Sequence, residues 1–271
     1  MQSFFLPFRT SRIHYLLGGR GSKILCCFHG YGRSAESFIF LEQALEEEYT
    51  ILAIDLPFHG KTDWKEGLFF DPEMLISLIG QMVDGLPGSR DGWALLGYSM
   101  GGRVALGLLE KIPEKVEKLV LLAPDGLTVN SWYWWSTHTK LGNVIFRWTM
   151  QKPGWLFFLL RLGNALQLVN RSVYKFTVFY TEDAAVRQEL YARWTTMRGF
   201  KPDTSAIRAL IRKRPIPIRF LYGQHDRIIR PVGGEKFRKG MESYCRLTLV
   251  PMGHQLLQAK NLGVIVSSLK E

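Results

Sequence analysis

Short apolar runs alternate along this chain with segments whose apolar positions recur every three to four residues. Phe4 to Phe8 and Arg12 to Leu17 read as a leading hairpin. Lys23 to Phe28, Thr50 to Ile54, Trp93 to Leu96, Leu119 to Leu122, Ile218 to Tyr222 and Leu247 to Val250 read as strands. Ser34 to Glu47, Pro72 to Val83 and Arg103 to Lys111 read as helices, and a last amphipathic helix is expected directly after His254. Asp71 is placed to cap the helix that Pro72 opens. Strands that alternate with helices predict an α/β architecture around a parallel sheet. The 271 residues, 46% of them hydrophobic, suffice for one such domain carrying an insertion.

That pattern gives meaning to Gly97-Tyr98-Ser99-Met100-Gly101-Gly102, which sets one serine in a G-x-S-x-G frame between a strand and a helix. The flanking glycines permit a sharp turn that projects the Ser99 hydroxyl outward. The helix that follows offers unpaired N–H groups and a positive dipole end to a developing oxyanion. A second turn, His29-Gly30-Tyr31-Gly32, closes the strand Lys23 to Phe28. There the Tyr31 N–H is placed to join that of Met100 as an oxyanion hole. His29 itself is expected to order its loop, and is kept as a candidate at the edge of a substrate site.

A serine hydroxyl needs an imidazole to take its proton and a carboxylate to fix the tautomer. Among six histidines, His254 stands in Pro251-Met252-Gly253-His254, directly after a strand pattern. The carboxyl ends of parallel strands open onto a shared crevice, so His254 is the expected base. Asp226 also follows a strand, and it gives the chain order serine, acid, histidine. Asp125 is its rival, in the turn-like Ala123-Pro124-Asp125-Gly126. Asp55 ends a third strand, but precedes Ser99 and reads as structural or pocket-lining.

These pieces, with Asp55-Leu56-Pro57-Phe58-His59-Gly60 and Tyr222-Gly223-Gln224-His225-Asp226, resemble the α/β-hydrolase fold family over nearly the whole chain. The resemblance implies an eight-stranded, mostly parallel sheet with helices on both faces and a helical cap inserted after strand six. Residues 1–126 and 215–271 would then form the core and 127–214 the cap. It also implies a serine hydrolase that cleaves a carboxylic ester or similar acyl bond through an acyl-enzyme. A serine at position 99 argues against the branches that use aspartate there, the haloalkane dehalogenases and epoxide hydrolases. Phe58 departs from the family, which usually has glycine in that loop.

Tyr98-Ser99-Met100-Gly101-Gly102-Arg103 is further similar to the elbow of the menaquinone-pathway synthase that eliminates pyruvate from a succinyl cyclohexadiene carboxylate. That likeness implies Tyr98 and Arg103 as substrate-binding residues for a polyanion, with Ser99 and His254 as the proton-abstracting pair. A hydrolase of C–C bonds in dienoates is a neighbouring reading. That synthase family's lysine after the acid is replaced here by Arg227-Ile228-Ile229-Arg230. A non-catalytic binding protein on the same scaffold is the alternative from another class.

Charge changes the picture in one region. Residues 127–214 hold fourteen Lys and Arg against four acids, so +10 of the formal +11 lies there, with six of the eight tryptophans. A basic, aromatic cap favours an anionic or amphiphilic small-molecule substrate, although aromatics can equally form the cap's own core. The basic residues follow no nucleic-acid motif, which excludes that partner. Trp155 to Leu160 is too short to span a bilayer, which leaves weak interfacial contact of cap helices with a membrane. Oligomeric state is not readable. Cys26, Cys27 and Cys245 have neither disulfide nor metal spacing, and Met1 to Phe8 lacks a signal-peptide pattern, so a cytoplasmic location is expected. No cofactor and no metal are expected for a Ser-His-Asp triad.

Overall fold

The apolar runs become the strands β1 (Gln2–Phe8), β2 (Ser11–Gly18), β3 (Lys23–Phe28), β4 (Tyr49–Ile54), β5 (Trp93–Tyr98), β6 (Val116–Leu122), β7 (Ile218–Gly223) and β8 (Cys245–Val250). In a computed structural model they join in one sheet of order β1-β2-β4-β3-β5-β6-β7-β8. The structure describes residues 1–87, 92–128, 130–165 and 181–271. From β4 to β8 every neighbouring pair is parallel, while β1 and β2 are antiparallel additions at one edge. All residues of β4, β5 and β7 are buried, the pattern of strands covered on both faces. At the exposed edge, Arg12 and His14 direct their backbone bonds toward Asp63 and Asp55. Their β1 partners Pro7 and Phe5 therefore turn their own backbone groups outward, where a proline forfeits no ladder bond.

The helices agree with the sequence in most places. Helix α2 (Pro72–Val83) starts at Pro72 with the Asp71 carboxylate accepting from the Met74 N–H. Helix α3 (Met100–Lys111) begins three residues earlier than the apolar spacing predicts, directly after Ser99. Ser34 to Glu47 differs: it forms a 3-10 segment, Ala35–Leu41, running into the four-residue α1 (Glu42–Leu45). The buried positions Ala35, Phe38 and Leu41 recur every third residue, and a 3-10 helix aligns that spacing on one face. The helix expected directly after His254 begins only at Leu262, as α10 (Leu262–Lys270). Backbone bonds from Leu256 to His254 and from Gln258 to Leu256 hold the intervening loop in tight turns.

The chain divides into two compact units. The first comprises 1–66, 70–128 and 200–271 and contains the sheet, α1 to α3, α8 (Thr204–Lys213), α9 (Val232–Arg238) and α10. The second comprises 67–69 and 129–199, with α4 (Ser131–His138), α5 (Lys140–Gln151), α6 (Gly154–Ala165) and α7 (Ala184–Thr196). Its core is aromatic, the Phe146 ring lying 5.3 Å from Tyr191 and 5.7 Å from Trp194. Buried Arg187 ties its segments by donating to the carbonyls of Met150, Thr181 and Glu182.

The insertion thus ends near residue 199, short of the expected 214. Helix α8 buries Ile207 and Ile211 and packs on α3, so it belongs with the sheet. Five of the fourteen basic residues counted above, from Lys201 to Arg214, move with it. Nine Lys and Arg against three acids remain in the second unit.

Candidate active site

Strand β5 ends at the middle of the sheet, and the chain turns there into α3 through Ser99, whose φ of 51° and ψ of −114° are strained for any residue with a Cβ. The turn can be this tight only because glycines flank it. A Cβ on Gly101 would lie 1.9 Å from the Phe28 carbonyl oxygen of the neighbouring strand. Ser99 occupies the N-cap of α3, where a serine hydroxyl ordinarily accepts from the helix's own N–H groups. It makes no such bond; its Oγ lies 3.0 Å from His254 Nε2.

His254 reaches that position because the loops after β7 and β8 are laced together. Gln224 N–H donates to the Val250 carbonyl at 2.8 Å and His225 N–H to the Met252 carbonyl at 2.9 Å. His254 Nδ1 then lies 2.7 Å from Asp226 Oδ2. The other carboxylate oxygen of Asp226 accepts from the N–H groups of Ile228 and Ile229, so the acid is fixed on both sides and its side chain is wholly buried. With Nδ1–H donating to Asp226, Nε2 is left to accept from the serine. Asp125 stands elsewhere, its Oδ2 3.6 Å from Arg103 Nε and its Oδ1 bound to the Gly126 N–H. Of the two acids weighed, Asp226 is the one that meets His254.

The expected oxyanion donors lie beside the elbow. Met100 is the first residue of α3, whose leading N–H groups find no partner within the helix. Tyr31 follows Gly30, and a Cβ on Gly30 would come within 3.3 Å of Ser99 Cβ, a measure of how closely this loop passes the serine. His29, kept as a candidate at the edge of a substrate site, lies in the interior. It is fully buried, its Nε2 accepts from the Leu56 N–H at 3.1 Å, and its Nδ1 lies 2.8 Å from the Gly30 carbonyl. The ring braces two loops against each other.

Tyr98 and Arg103, the other two substrate-binding candidates, are engaged by neighbouring protein groups. Tyr98 is buried, its ring 5.5 Å from that of His254 and its hydroxyl donating to the His254 carbonyl at 3.3 Å. Burial raises its phenol above the ordinary range, which keeps that donor protonated. Arg103 is buried against Asp125 and Gly126. Both are supports of the elbow and its loops. Phe58, which departs from the resembled motif, holds a φ of 62°, the left-handed conformation that glycine adopts freely.

A serine and a histidine that the sequence does not single out meet Asp55, which was expected to be structural or pocket-lining. On the edge hairpin, Ser3 Oγ lies 2.9 Å from His14 Nε2, and His14 Nδ1 lies 2.6 Å from Asp55 Oδ2. Asp55 also accepts from the backbone N–H groups of Ala35 and Lys61. The signal was present in the alternation of Ser11 to Leu17, which puts His14 on the same face as the apolar Leu16.

Among the described residues no cluster of His, Cys, Asp or Glu could hold a metal, and no helix is long and apolar enough to cross a membrane. The three cysteines are buried free thiols, and burial pushes that of Cys245 up to about 11.

Comparison with known proteins agrees with this architecture. The pimeloyl-[acyl-carrier protein] methyl ester esterase of Nitrosomonas europaea is 25% identical over 256 residues, covering 89% of this chain and 92% of that protein. A putative 2-succinyl-6-hydroxy-2,4-cyclohexadiene-1-carboxylate synthase of Bacillus subtilis is 33% identical over 105 residues, covering 38% of this chain and 37% of that protein. The thioesterase domain from the curacin biosynthetic pathway shares the fold with a TM-score of 0.66 at 16% identity, covering 100% of this chain and 99% of that one. The profile of the serine aminopeptidase S33 hydrolases matches residues 20–261. With nearly its whole length matched, this chain belongs to that family of α/β-hydrolase enzymes.

Proposed function

We propose that the chain hydrolyses a carboxylic ester or a similar acyl bond through an acyl-enzyme on Ser99. His254 Nε2 takes the hydroxyl proton as Ser99 Oγ attacks the carbonyl, and Asp226 holds the resulting imidazolium. The N–H groups of Met100 and Tyr31 receive the oxyanion. His254 then returns the proton to the departing alkoxide. In the second half it deprotonates the water that attacks the acyl carbon and, as the tetrahedral adduct collapses, protonates the Ser99 oxygen that leaves.

The observation that carries this reading is the hydroxyl of a strained N-cap serine, directed to an imidazole at 3.0 Å and away from its own helix. A small-molecule substrate of amphiphilic or anionic character is the class favoured by the basic, tryptophan-rich insertion. The lyase and C–C hydrolase readings require residues that grip a polyanion, and Tyr98 and Arg103, the two available from the elbow, are occupied behind it.

Labelling by a fluorophosphonate tests the nucleophile. Wild-type protein should be labelled stoichiometrically and Ser99→Ala should not, whereas undiminished labelling of the variant would sink the assignment. Turnover of aryl esters and acyl thioesters, set against the succinyl cyclohexadiene precursor, separates hydrolysis from elimination.

A further inference from the structure

Helix α5 buries Gly142, Phe146, Thr149 and Met150. Its opposite face should be polar in a protein that meets only water. Instead Leu141, Val144 and Trp148, spaced three and four residues apart along one stripe, are 67%, 65% and 48% exposed. Trp148 stacks on Trp155 at 5.9 Å, which carries the apolar surface across to α6. There Phe158, Leu159 and Leu162 are exposed in turn, Phe158 at 66%.

The charge around this surface has one sign. From residue 126 to residue 181 the chain contains no Asp or Glu, and Lys140, Arg147, Lys152 and Arg161 are exposed on or between the same two helices. Apart from Gly and Ala, only Gln151 and Asn164 interrupt the exposed apolar and cationic positions of 140–165.

We propose that the outward face of α5 and α6 docks on an anionic lipid surface. Aliphatic and aromatic side chains would enter the acyl boundary, with indole rings near headgroup level and the long cationic side chains reaching lipid phosphates. Over the described residues neither helix is long enough to span, so the proposed contact lies in the interface plane. A folded acidic protein would answer the charge. Apart from its flexible cations the face offers only Gln151 and Asn164 to fix a register, which favours a fluid partner. This inference does not depend on the chemistry assigned to Ser99.

Flotation of the full chain with phosphatidylcholine vesicles, with and without phosphatidylglycerol, tests it. The protein should float with the anionic vesicles and much less with the neutral ones, and high salt should weaken the binding. Phe158→Asp with Leu162→Asp should reduce the bound fraction about tenfold or more while turnover of a water-soluble ester stays within about twofold. Ser99→Ala should float like wild type, so a failed esterase assignment leaves the result readable. The proposal is overturned by absence of flotation with anionic vesicles at low salt, or by flotation that the double variant leaves unchanged. It is equally overturned if light scattering shows a dimer that the double variant dissolves and vesicles bind neither form, since a second copy then covers the face.

Discussion

Among the described residues two Ser-His-Asp arrays occur, with nearly the same distances and different surroundings. Ser99, His254 and Asp226 are linked at 3.0 and 2.7 Å, and Ser3, His14 and Asp55 at 2.9 and 2.6 Å. Distances alone do not separate a reactive serine from a structural one. Ser99 sits on a strained turn at the head of a helix, where N–H groups unpaired within that helix are the proposed receivers of an oxyanion. Ser3 sits in an extended edge strand, and no helix begins beside it. His14 is fully buried, while the His254 side chain keeps 16% of its surface exposed, as the proposed base, which must meet a leaving group and water, requires. Asp55 is enlisted by two further backbone donors from the loops it joins, which marks the hairpin array as a clasp.

The contrast can be broken experimentally. The largest effect is expected from Ser99→Ala, which should lower kcat for an ester by about a millionfold while the fold survives, as judged by circular dichroism. Asp226→Asn should cost about four orders of magnitude in kcat, since the amide favours the wrong imidazole tautomer. Asp55→Ala should act on stability, removing about 3–5 kcal/mol in urea unfolding by stranding His14 and two backbone donors, with kcat per folded molecule little changed. Ser3→Ala should be the mildest, moving Tm by about 2 °C or less and kcat not at all. If Ser3→Ala instead removed measurable turnover, the distinction drawn from helix and strand context would be wrong.

Much of the arrangement was legible in the residues. Asp71 and Pro72 mark a helix start because capping is local chemistry. Ser99, Asp226 and His254 could be placed together because each follows an apolar run, and the ends of parallel strands share one rim of the sheet. The remainder depends on long-range partners. His29 is legible from the sequence as a residue that orders its loop, but its partner, the Leu56 N–H 27 residues on, is not. The 3-10 segment at Ala35 is drawn tight in part by the Asp55 carboxylate, 20 residues away. Composition does not mark where the second compact unit ends, because basic residues continue through α8, whose place is decided by Ile207 and Ile211 packing beside α3.

The backbone at position 99 has a consequence for how this enzyme tolerates change. A φ of 51° with a side chain attached costs about 1–3 kcal/mol, and glycine would escape most of it while giving back about 0.4–1 kcal/mol through its freer unfolded chain. Ser99→Gly should therefore yield a protein that melts later than its parent and turns over nothing. The residue best suited to folding at this point and the residue best suited to chemistry are different, and the chain keeps the second.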